Sequence, residues 1–335
     1  MSFRRRYSIS SFFSFHVPLF FLISGFTYRY YGNKNAFYSN KFRRLIVPYI
    51  FFSLGSILVM WVVDKIIPLN TDTRILPNIA GMLFANSNSS FMTWNSPLWF
   101  LPCMFVSLAL MDFWETMLRR TKWESSIVFH FVVMIVLWAV GILVNTQCAV
   151  YLPLHIEAAL FLTGFSELGY IISRYSFQYK QRYGGIKLTC RMLILYGCFG
   201  SVLGVAASCF NGWTDIRTHL FGQNPLLLIT TSVSFSLVVV VLSMLIRRCR
   251  WLEYLGIHSM AILVMHKFPV MFFKMLVPGI QEMLNNSGSV LGFAAGLSIT
   301  VLSIVVCVVC ERILMTIFPF ALGANNKKRE VDRKK

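Results

Sequence analysis

Residues 14–26 read SFHVPLFFLISGF, a run apolar enough to enter a bilayer that nevertheless carries a histidine and a proline near its start. The rest of the chain shares this apolar character, since 56% of its 335 residues are hydrophobic, 13% are charged and the mean hydropathy is +0.65. A soluble domain carries roughly 25% charged residues, about twice as many. The composition therefore predicts an all-α, polytopic transmembrane helical bundle.

Apolar runs of roughly 17–25 residues are long enough to span a bilayer as helices. About nine such runs follow one another along the chain, at residues 12–28, 45–63, 97–114, 127–144, 151–173, 192–210, 224–246, 257–278 and 289–318. The longest polar connection is 64–96, and neither an internal repeat nor a second domain is evident. We predict one transmembrane domain over residues 1–324 and a disordered basic cytoplasmic tail over 325–335.

The net charge of +18 raises the question of a nucleic-acid partner. The basic residues instead fall in short clusters between apolar runs, mostly in alternate connections, as they do in the cytoplasmic loops of membrane proteins. We therefore expect membrane lipid and no nucleic acid as a partner, and a multi-pass protein of the plasma (inner) membrane with a cytoplasmic C-terminus. An odd number of spans puts the two termini on opposite sides of the membrane, so nine spans with a cytoplasmic C-terminus would leave the basic residues 3–6 outside. Because basic residues favour the cytoplasmic side, we expect one further helix before residue 1.

Ionisable side chains inside apolar runs need an explanation, because a charge at the bilayer centre costs about 2.5–3.5 kcal/mol on insertion scales. His16, Glu157 and His266 are such residues, and histidine supplies a base near neutral pH. The alternatives are an interfacial histidine for His16, a solvated outer position for Glu157 and a satisfied buried ring for His266. Cys307 and Cys310 form a single C-x-x-C, from which we expect neither a metal site nor a permanently bound cofactor.

Two connections carry side chains suited to ligands. Residues 41–49, KFRRLIVPY, place Lys41, Arg43 and Arg44 at the predicted cytoplasmic end of the second run. These side chains are either ordinary membrane anchors or a dock for a polyanionic donor such as a nucleotide diphosphate, whose phosphates match guanidinium geometry. Residues 211–217, NGWTDIR, lie on the predicted outer side and offer aromatic and hydrogen-bonding groups that suit a sugar.

Taken in order, these segments resemble the acyltransferase-3 family of integral-membrane acyltransferases. The specific part is the pair FHVPLFFLISGF, at 15–26, and KFRRLIVPYIFF, at 41–52. Supporting matches follow in order: SPLWFLPCMF at 96–105, AALFLTGFSELGY at 158–170, NGWTDIR…FG at 211–222 and LEYLGIHSMAILVMHKFPV at 252–270. The SPLWFLPC and NGWTDIR pieces look most similar to the fucose 4-O-acetylase-like branch.

The resemblance implies a ten-helix bundle with both termini in the cytoplasm. It implies transfer of an acetyl or similar acyl group from acetyl-CoA (acyl-CoA), as co-substrate, to a hydroxyl of a cell-surface or exported glycan or another hydroxyl acceptor. The family's catalytic element, a basic residue about ten positions before a histidine, lies on a first helix that would precede residue 12. We therefore expect that this first helix is missing here, as the outside position of the basic residues 3–6 in a nine-span chain also indicates.

The resemblance also assigns roles by position. His16 and His266 fall in the family's histidine-containing motifs and are the catalytic candidates. The CoA phosphates are expected to meet the basic motif, Lys41, Arg43 and Arg44. The acceptor is expected to meet Trp99, Glu157, Asp215 and Arg217.

Two alternatives to an active enzyme remain open from the sequence. A catalytically inactive, N-terminally truncated relative would keep the fold motifs and lose the catalytic helix. A non-enzymatic membrane transporter or partner subunit would share the apolar composition, although a transporter is expected to show a repeated architecture.

Overall fold

The protein is predominantly helical over the residues that its computed structural model describes, which are 3–66, 73–85, 93–121, 126–148, 151–183, 189–246, 248–277, 279–280, 284 and 290–323. This part of the chain contains no β-strand, and one isolated antiparallel bridge joins Asp215 and Leu220. The predicted all-α membrane fold is confirmed. The predicted tail, 325–335, lies outside the described residues.

The chain divides into two compact units, each made of two chain segments. The first unit comprises residues 1–32 and 106–249, and the second comprises residues 33–105 and 250–335. The helices of the first unit are α1 (Phe3–Phe26), most of α5 (Phe100–Leu118), α6 (Ile127–Leu143), α7 (Ile156–Tyr183), α8 (Cys190–Asn211) and α9 (Pro225–Ile246).

Helix α7 forms the core of the first unit, because it packs against both α1 and α6. In the apolar stretch of the span Pro153–Arg182, 72% is buried, against 28% in Cys190–Asn211. Glycines allow this close packing: a Cβ on Gly169 would overlap the Leu22 carbonyl, and one on Gly25 would overlap the Ser166 carbonyl. Helix α1 therefore lies directly against the backbone of α7.

Proline 18 occupies an interior position of α1, not the first turn that the sequence suggested. An interior proline has no N–H to donate to the carbonyl four residues earlier, which here belongs to Ser14. The hydroxyl of Ser232 on α9 donates to that carbonyl at 2.7 Å. A side chain of a neighbouring helix thus satisfies the acceptor that the proline leaves open.

The second unit contains the remaining helices and the start of α5. These are α2 (Lys34–Lys41), α3 (Val47–Ile66), α4 (Ile75–Phe84), α10 (Arg250–Ile257), α11 (Ser259–Met265), α12 (Lys267–Leu276) and α13 (Val290–Ile317). Helix α3 packs against α4, and α11 and α12 pack against α13. The connection predicted as polar, 64–96, contains α4, whose end is fixed by a hydrogen bond from the Tyr49 hydroxyl to the Met82 carbonyl at 2.6 Å.

Seven helices of the described chain are long and apolar enough to cross a membrane, and eight if a bent pair counts as one span. The bent pair is α11 and α12, which meet at 51° around His266, inside the run predicted at 257–278. The first predicted run, 12–28, coincides with the apolar part of α1, Ser14–Phe26. The apolar runs therefore locate the helices, and the described residues supply seven or eight of the about nine spans predicted.

Candidate active site

The strongest polar cluster of the first unit surrounds Glu157, at the start of α7. Glu157 is fully buried. Its Oε1 lies 3.1 Å from His155 Nδ1 and 3.4 Å from His219 Nε2, and its Oε2 accepts a hydrogen bond from the Leu152 N–H at 3.1 Å. A carboxylate held between two histidines can orient an imidazole and stabilise its charged form, as in a general-base pair.

Backbone geometry before α7 brings His155 to this carboxylate. Leu154 and His155 have φ values of 59° and 52°, in the left-handed region that side chains beyond glycine rarely adopt. Such strain persists only where the surrounding contacts hold it, and it concentrates at functional sites. Here the Asn145 amide donates to the Glu157 backbone carbonyl at 2.6 Å and fixes the first turn of α7.

His219 reaches Glu157 from the connection between α8 and α9. A pair of backbone hydrogen bonds between Asp215 and Leu220, 2.8 and 3.0 Å long, closes this loop. The Asp215 carboxylate accepts from the Arg217 N–H at 3.1 Å and pairs with the Arg217 guanidinium at 3.3 Å. Asp215 and Arg217, both predicted to contact the acceptor, therefore shape the turn that carries His219.

The base of the same loop is held by Asn211. Its side-chain amide donates to the Phe221 carbonyl at 2.9 Å, and its side-chain oxygen accepts from the Asn224 N–H at 2.8 Å. Gly222 has a φ of 79°, and a Cβ there would lie 2.5 Å from the Asn211 amide nitrogen. Asn211 thus fixes both ends of the loop segment 211–224 from inside.

A cavity of about 820 Å³ opens against this loop. His219 and Tyr151 line it, with their rings 4.5 Å apart. Trp213, which is 40% exposed, and Gln223 add an aromatic surface and an amide to the wall. A histidine backed by a buried carboxylate therefore faces a space that is large enough for a small organic substrate.

His16 belongs to the same unit and lies close to this loop along α1. Two residues before it, the Ser14 hydroxyl is hydrogen-bonded to the Thr214 hydroxyl at 2.7 Å. The His16 side chain is half-buried. The structure therefore brings the SFHVP segment to the NGWTDIR segment, two motifs that lie about 200 residues apart.

A second ionisable cluster lies near the middle of α7, around Glu167. His130 Nδ1 is 3.2 Å from Glu167 Oε2, and its Nε2 is 3.9 Å from Glu115 Oε2. Glu115 also pairs with Arg119 at 3.0 Å. All of these side chains except Arg119 are buried. Each of the two glutamates has a partner there, since Arg119 pairs with Glu115 and His130 with Glu167.

Tyr28 and Asp112 extend this second cluster beyond the end of α1. The Tyr28 hydroxyl donates to Asp112 Oδ1 at 3.1 Å. Burial and the adjacent Asp112 carboxylate raise the pKa of Tyr28 far above that of a free tyrosine, so that its hydroxyl keeps its proton and remains a donor.

The predicted phosphate contacts lie in the second unit, on a widened helical turn. Residues 42–46 form a π-helical turn, in which the Val47 N–H bonds to the Phe42 carbonyl. Pro48 explains the widening, because it cannot donate to the carbonyl of Arg44. Arg43 and Arg44 are exposed, and Lys41 lies with its ammonium 5.5 Å from the centre of the Phe37 ring.

The other two predicted site residues of the second unit have structural contacts of their own. Trp99 is buried where the turn Thr93–Trp99 enters α5. His266 sits at the bend between α11 and α12, and its Nδ1 lies 3.0 Å from the carbonyls of Ile262 and Leu263. His266 thus caps the last turn of α11, which leaves its Nε2 for other partners.

Sequence reasoning missed several of these residues. His219 escaped notice because it lies in a loop, outside the apolar runs. His130, Asp112 and Glu115 lie within or beside apolar runs, so a complete survey of ionisable residues in those runs would have found them.

A comparison with protein-family models finds a match over nearly the whole chain. A sequence profile of an acyltransferase domain, that of the acyltransferase-3 family, matches residues 1–312. No curated protein and no solved structure matches the chain.

Proposed function

Because the chain belongs to the acyltransferase-3 family, we propose that it is a membrane O-acyltransferase that moves an acetyl or similar acyl group from acyl-CoA to a hydroxyl of a cell-surface or exported glycan. The match to the family supports an acyltransferase with an acyl donor and a hydroxyl acceptor. The choice of acetyl-CoA and of a glycan is the finer part of the proposal. The side chains of the 820 Å³ cavity and of the basic turn at residues 41–46 support it.

The acceptor end is the 820 Å³ cavity beside the 211–225 loop. Tyr151 and Trp213 offer aromatic faces on which the apolar face of a sugar ring stacks, and the Gln223 amide offers hydrogen bonds to its hydroxyls. Asp215 and Arg217 contribute by holding the loop, and Glu157 contributes through His219. Trp99 lies in the other unit, and only its place in the SPLWFLPC motif supports a contact with the acceptor.

His219 is the best-placed base for the transfer in this cavity. The acceptor hydroxyl gives its proton to the imidazole as its oxygen attacks the thioester carbonyl carbon. The C–S bond then breaks, and the imidazolium returns the proton to the CoA thiolate. Glu157, 3.4 Å from His219 Nε2, stabilises the imidazolium while it exists.

His16 and His266 remain candidates for the same step or for positioning the substrates. His16 is supported by its position next to the segment that contacts Thr214. His266 is supported by the Nδ1 contacts that orient its ring.

For the acyl-CoA donor, we propose that Lys41, Arg43 and Arg44 meet the diphosphate of CoA from the cytoplasm. The exposure of both arginines supports this role. The alternating basic connections support a plasma-membrane protein whose C-terminus is cytoplasmic.

The observation that carries the proposal is the His219–Glu157 pair at the cavity wall, and its test is acyl transfer. Membranes containing the protein are supplied with labelled acetyl-CoA and a mixture of glycan acceptors. We expect His219→Gln to lower kcat by about 10²–10⁴-fold, the usual contribution of a general base. The matched control is His258→Gln, which removes another histidine–glutamate pair, 2.6 Å long, from the other unit.

His258→Gln is expected to leave the rate near that of the unchanged protein. Equal rates for the two variants would remove His219 from the mechanism. Background transfer by the unchanged protein would contradict the enzyme proposal and favour an inactive relative or a partner subunit.

A further inference from the structure

A second cavity, of about 380 Å³, opens in the first unit beyond the ends of α1 and α5. Three arginines line it, namely Arg29, Arg119 and Arg174, and no acidic side chain is among the described residues of its wall. This end of the unit carries the basic connections that the sequence assigns to the cytoplasm.

Two of the arginines are held in place by their neighbours. The Arg119 guanidinium lies 4.1 Å from the centre of the Tyr30 ring and pairs with Glu115 at 3.0 Å. Arg174 donates to the Tyr170 hydroxyl at 3.3 Å, and its guanidinium is 5.5 Å from the centre of that ring. A pre-oriented guanidinium loses little freedom when it binds a phosphate with two parallel hydrogen bonds.

The charges around the cavity favour an anion. Behind the wall, Glu115 balances Arg119, and Asp112 accepts the hydrogen bond of Tyr28. Among the described residues of the wall there are three arginines and no carboxylate, so the wall carries more positive than negative charge.

The rest of the wall indicates what the anion is attached to. Phe177 is 60% exposed and offers an aromatic face, while Gln178 and Gln181 offer amide groups. Stacking on an aromatic ring and amide hydrogen bonds to base edges are the usual contacts of an unpaired nucleobase.

We propose that this cavity binds phosphate esters and holds the 3′-phosphoadenosine end of the acyl-CoA donor. The identity of the donor rests on the proposed function, whereas the phosphate site rests on the cavity. The headgroup of an anionic lipid carries the same phosphate chemistry and is the other source available at a membrane surface.

The test is direct binding of adenosine 3′,5′-bisphosphate, which lacks the pantetheine and the acyl group. The purified full chain in detergent is titrated by calorimetry, and Arg174→Gln is compared with Lys180→Gln. Lys180 is an exposed residue of the same helix outside the cavity, so both variants lose one positive charge. We expect Arg174→Gln to weaken binding by about tenfold or more, as the loss of a charge-assisted hydrogen bond does, and Lys180→Gln to leave it unchanged.

Equal affinity in both variants, or no bisphosphate binding by the unchanged protein, overturns the nucleotide assignment. A second arm measures thermal stabilisation by short-chain phosphatidylglycerol against phosphatidylcholine. If phosphatidylglycerol alone stabilises the protein and Arg174→Gln abolishes the effect, the phosphate site is retained and its ligand is a lipid headgroup. If no ligand has an effect that depends on Arg174, the site is overturned.

Acyl-transfer kinetics separate this inference from the proposed function. Normal transfer with an unchanged KM for acyl-CoA in Arg174→Gln overturns the donor assignment and leaves the acyltransferase proposal intact. If the bisphosphate binds in a way that depends on Arg174 but no acyl transfer is detected, the assignment of the cavity is retained and the acyltransferase proposal is contradicted.

Discussion

At the scale of single residues, the proline of SFHVPLFF shows how a membrane helix tolerates a break in its hydrogen bonds. Pro18 leaves the Ser14 carbonyl without its usual donor, and the Ser232 hydroxyl supplies one from α9. The same hydroxyl also lies 2.7 Å from the Leu228 carbonyl of its own helix, so its single proton alternates between two acceptors. The contact joins α1 to α9 at Ser14, whose hydroxyl also bonds Thr214 in the loop that carries His219.

Ser232→Ala is therefore expected to destabilise the protein. It removes the hydrogen bond from Ser232 to the buried Ser14 carbonyl, and such a loss costs about 1–3 kcal/mol in proteins generally and tends toward the lower end within membranes. The measurement is the apparent melting midpoint of the purified protein in detergent, and we expect a lower midpoint than that of the unchanged chain.

Ser236→Ala provides a matched control one turn along the same helix. The Ser236 hydroxyl is buried and has no hydrogen-bond partner among the described residues. Removing it should leave the midpoint unchanged or raise it slightly, because an unpaired polar group is lost. A drop of the same size in both variants would mean that the Ser232 contact adds nothing.

At the scale of helices, the contact between α1 and α7 depends on glycine. We expect Gly25→Ala and Gly169→Ala each to force the two helices apart, because the added methyl group meets backbone atoms that cannot rotate away. Overpacking of this kind costs about 1–3 kcal/mol. The melting midpoint should fall in each variant, and acyl transfer should fall with it if the position of His16 matters for the reaction.

Gly55→Ala makes the same chemical change where space is available. Among the described residues, nothing beyond its chain neighbours and the backbone of its own helix lies within 4 Å of the position of its Cβ, in the middle of α3. Alanine is a better helix former than glycine by about 1 kcal/mol, so the midpoint should rise or stay constant. A fall in Gly55→Ala equal to that in Gly169→Ala would show that helix packing is not the cause.

The difference between what the sequence predicted and what it missed has a physical origin at this scale. Apolar length located the helices, since composition along a run decides whether it enters lipid. The bend at His266 and the widened turn at residues 42–46 were not predicted, because they depend on which backbone groups find partners. The Glu157–His219 pair was missed for a related reason: the two residues lie 62 positions apart, and only tertiary packing brings them together.

At the scale of the whole molecule, the proposed function requires that the two cavities of the first unit face opposite sides of the membrane. Both are built around α7, the larger cavity near its first turn and the smaller around residues 170–181. The charge distribution predicts that the larger cavity is outside, with the acceptor, and that the smaller is inside, with the donor.

Thiol labelling of single cysteines tests this orientation with two equivalent positions. Gln223 lines the larger cavity and Gln178 the smaller, and both are exposed. In a chain whose eight native cysteines are replaced by alanine, we expect a membrane-impermeant maleimide to label Gln223→Cys in intact spheroplasts. Gln178→Cys should be labelled only after permeabilisation, because the reagent must reach the cytoplasmic face.

The reverse pattern would place the basic connections outside and contradict the positive-inside interpretation of this chain. It would also put the arginine-lined cavity on the side where acyl-CoA is absent, so the donor assignment would fall with it. Labelling of both cysteines in intact spheroplasts would instead mean that α7 does not separate two compartments. The proposed division between a donor end and an acceptor end would then have no physical basis, whatever the rate of acyl transfer.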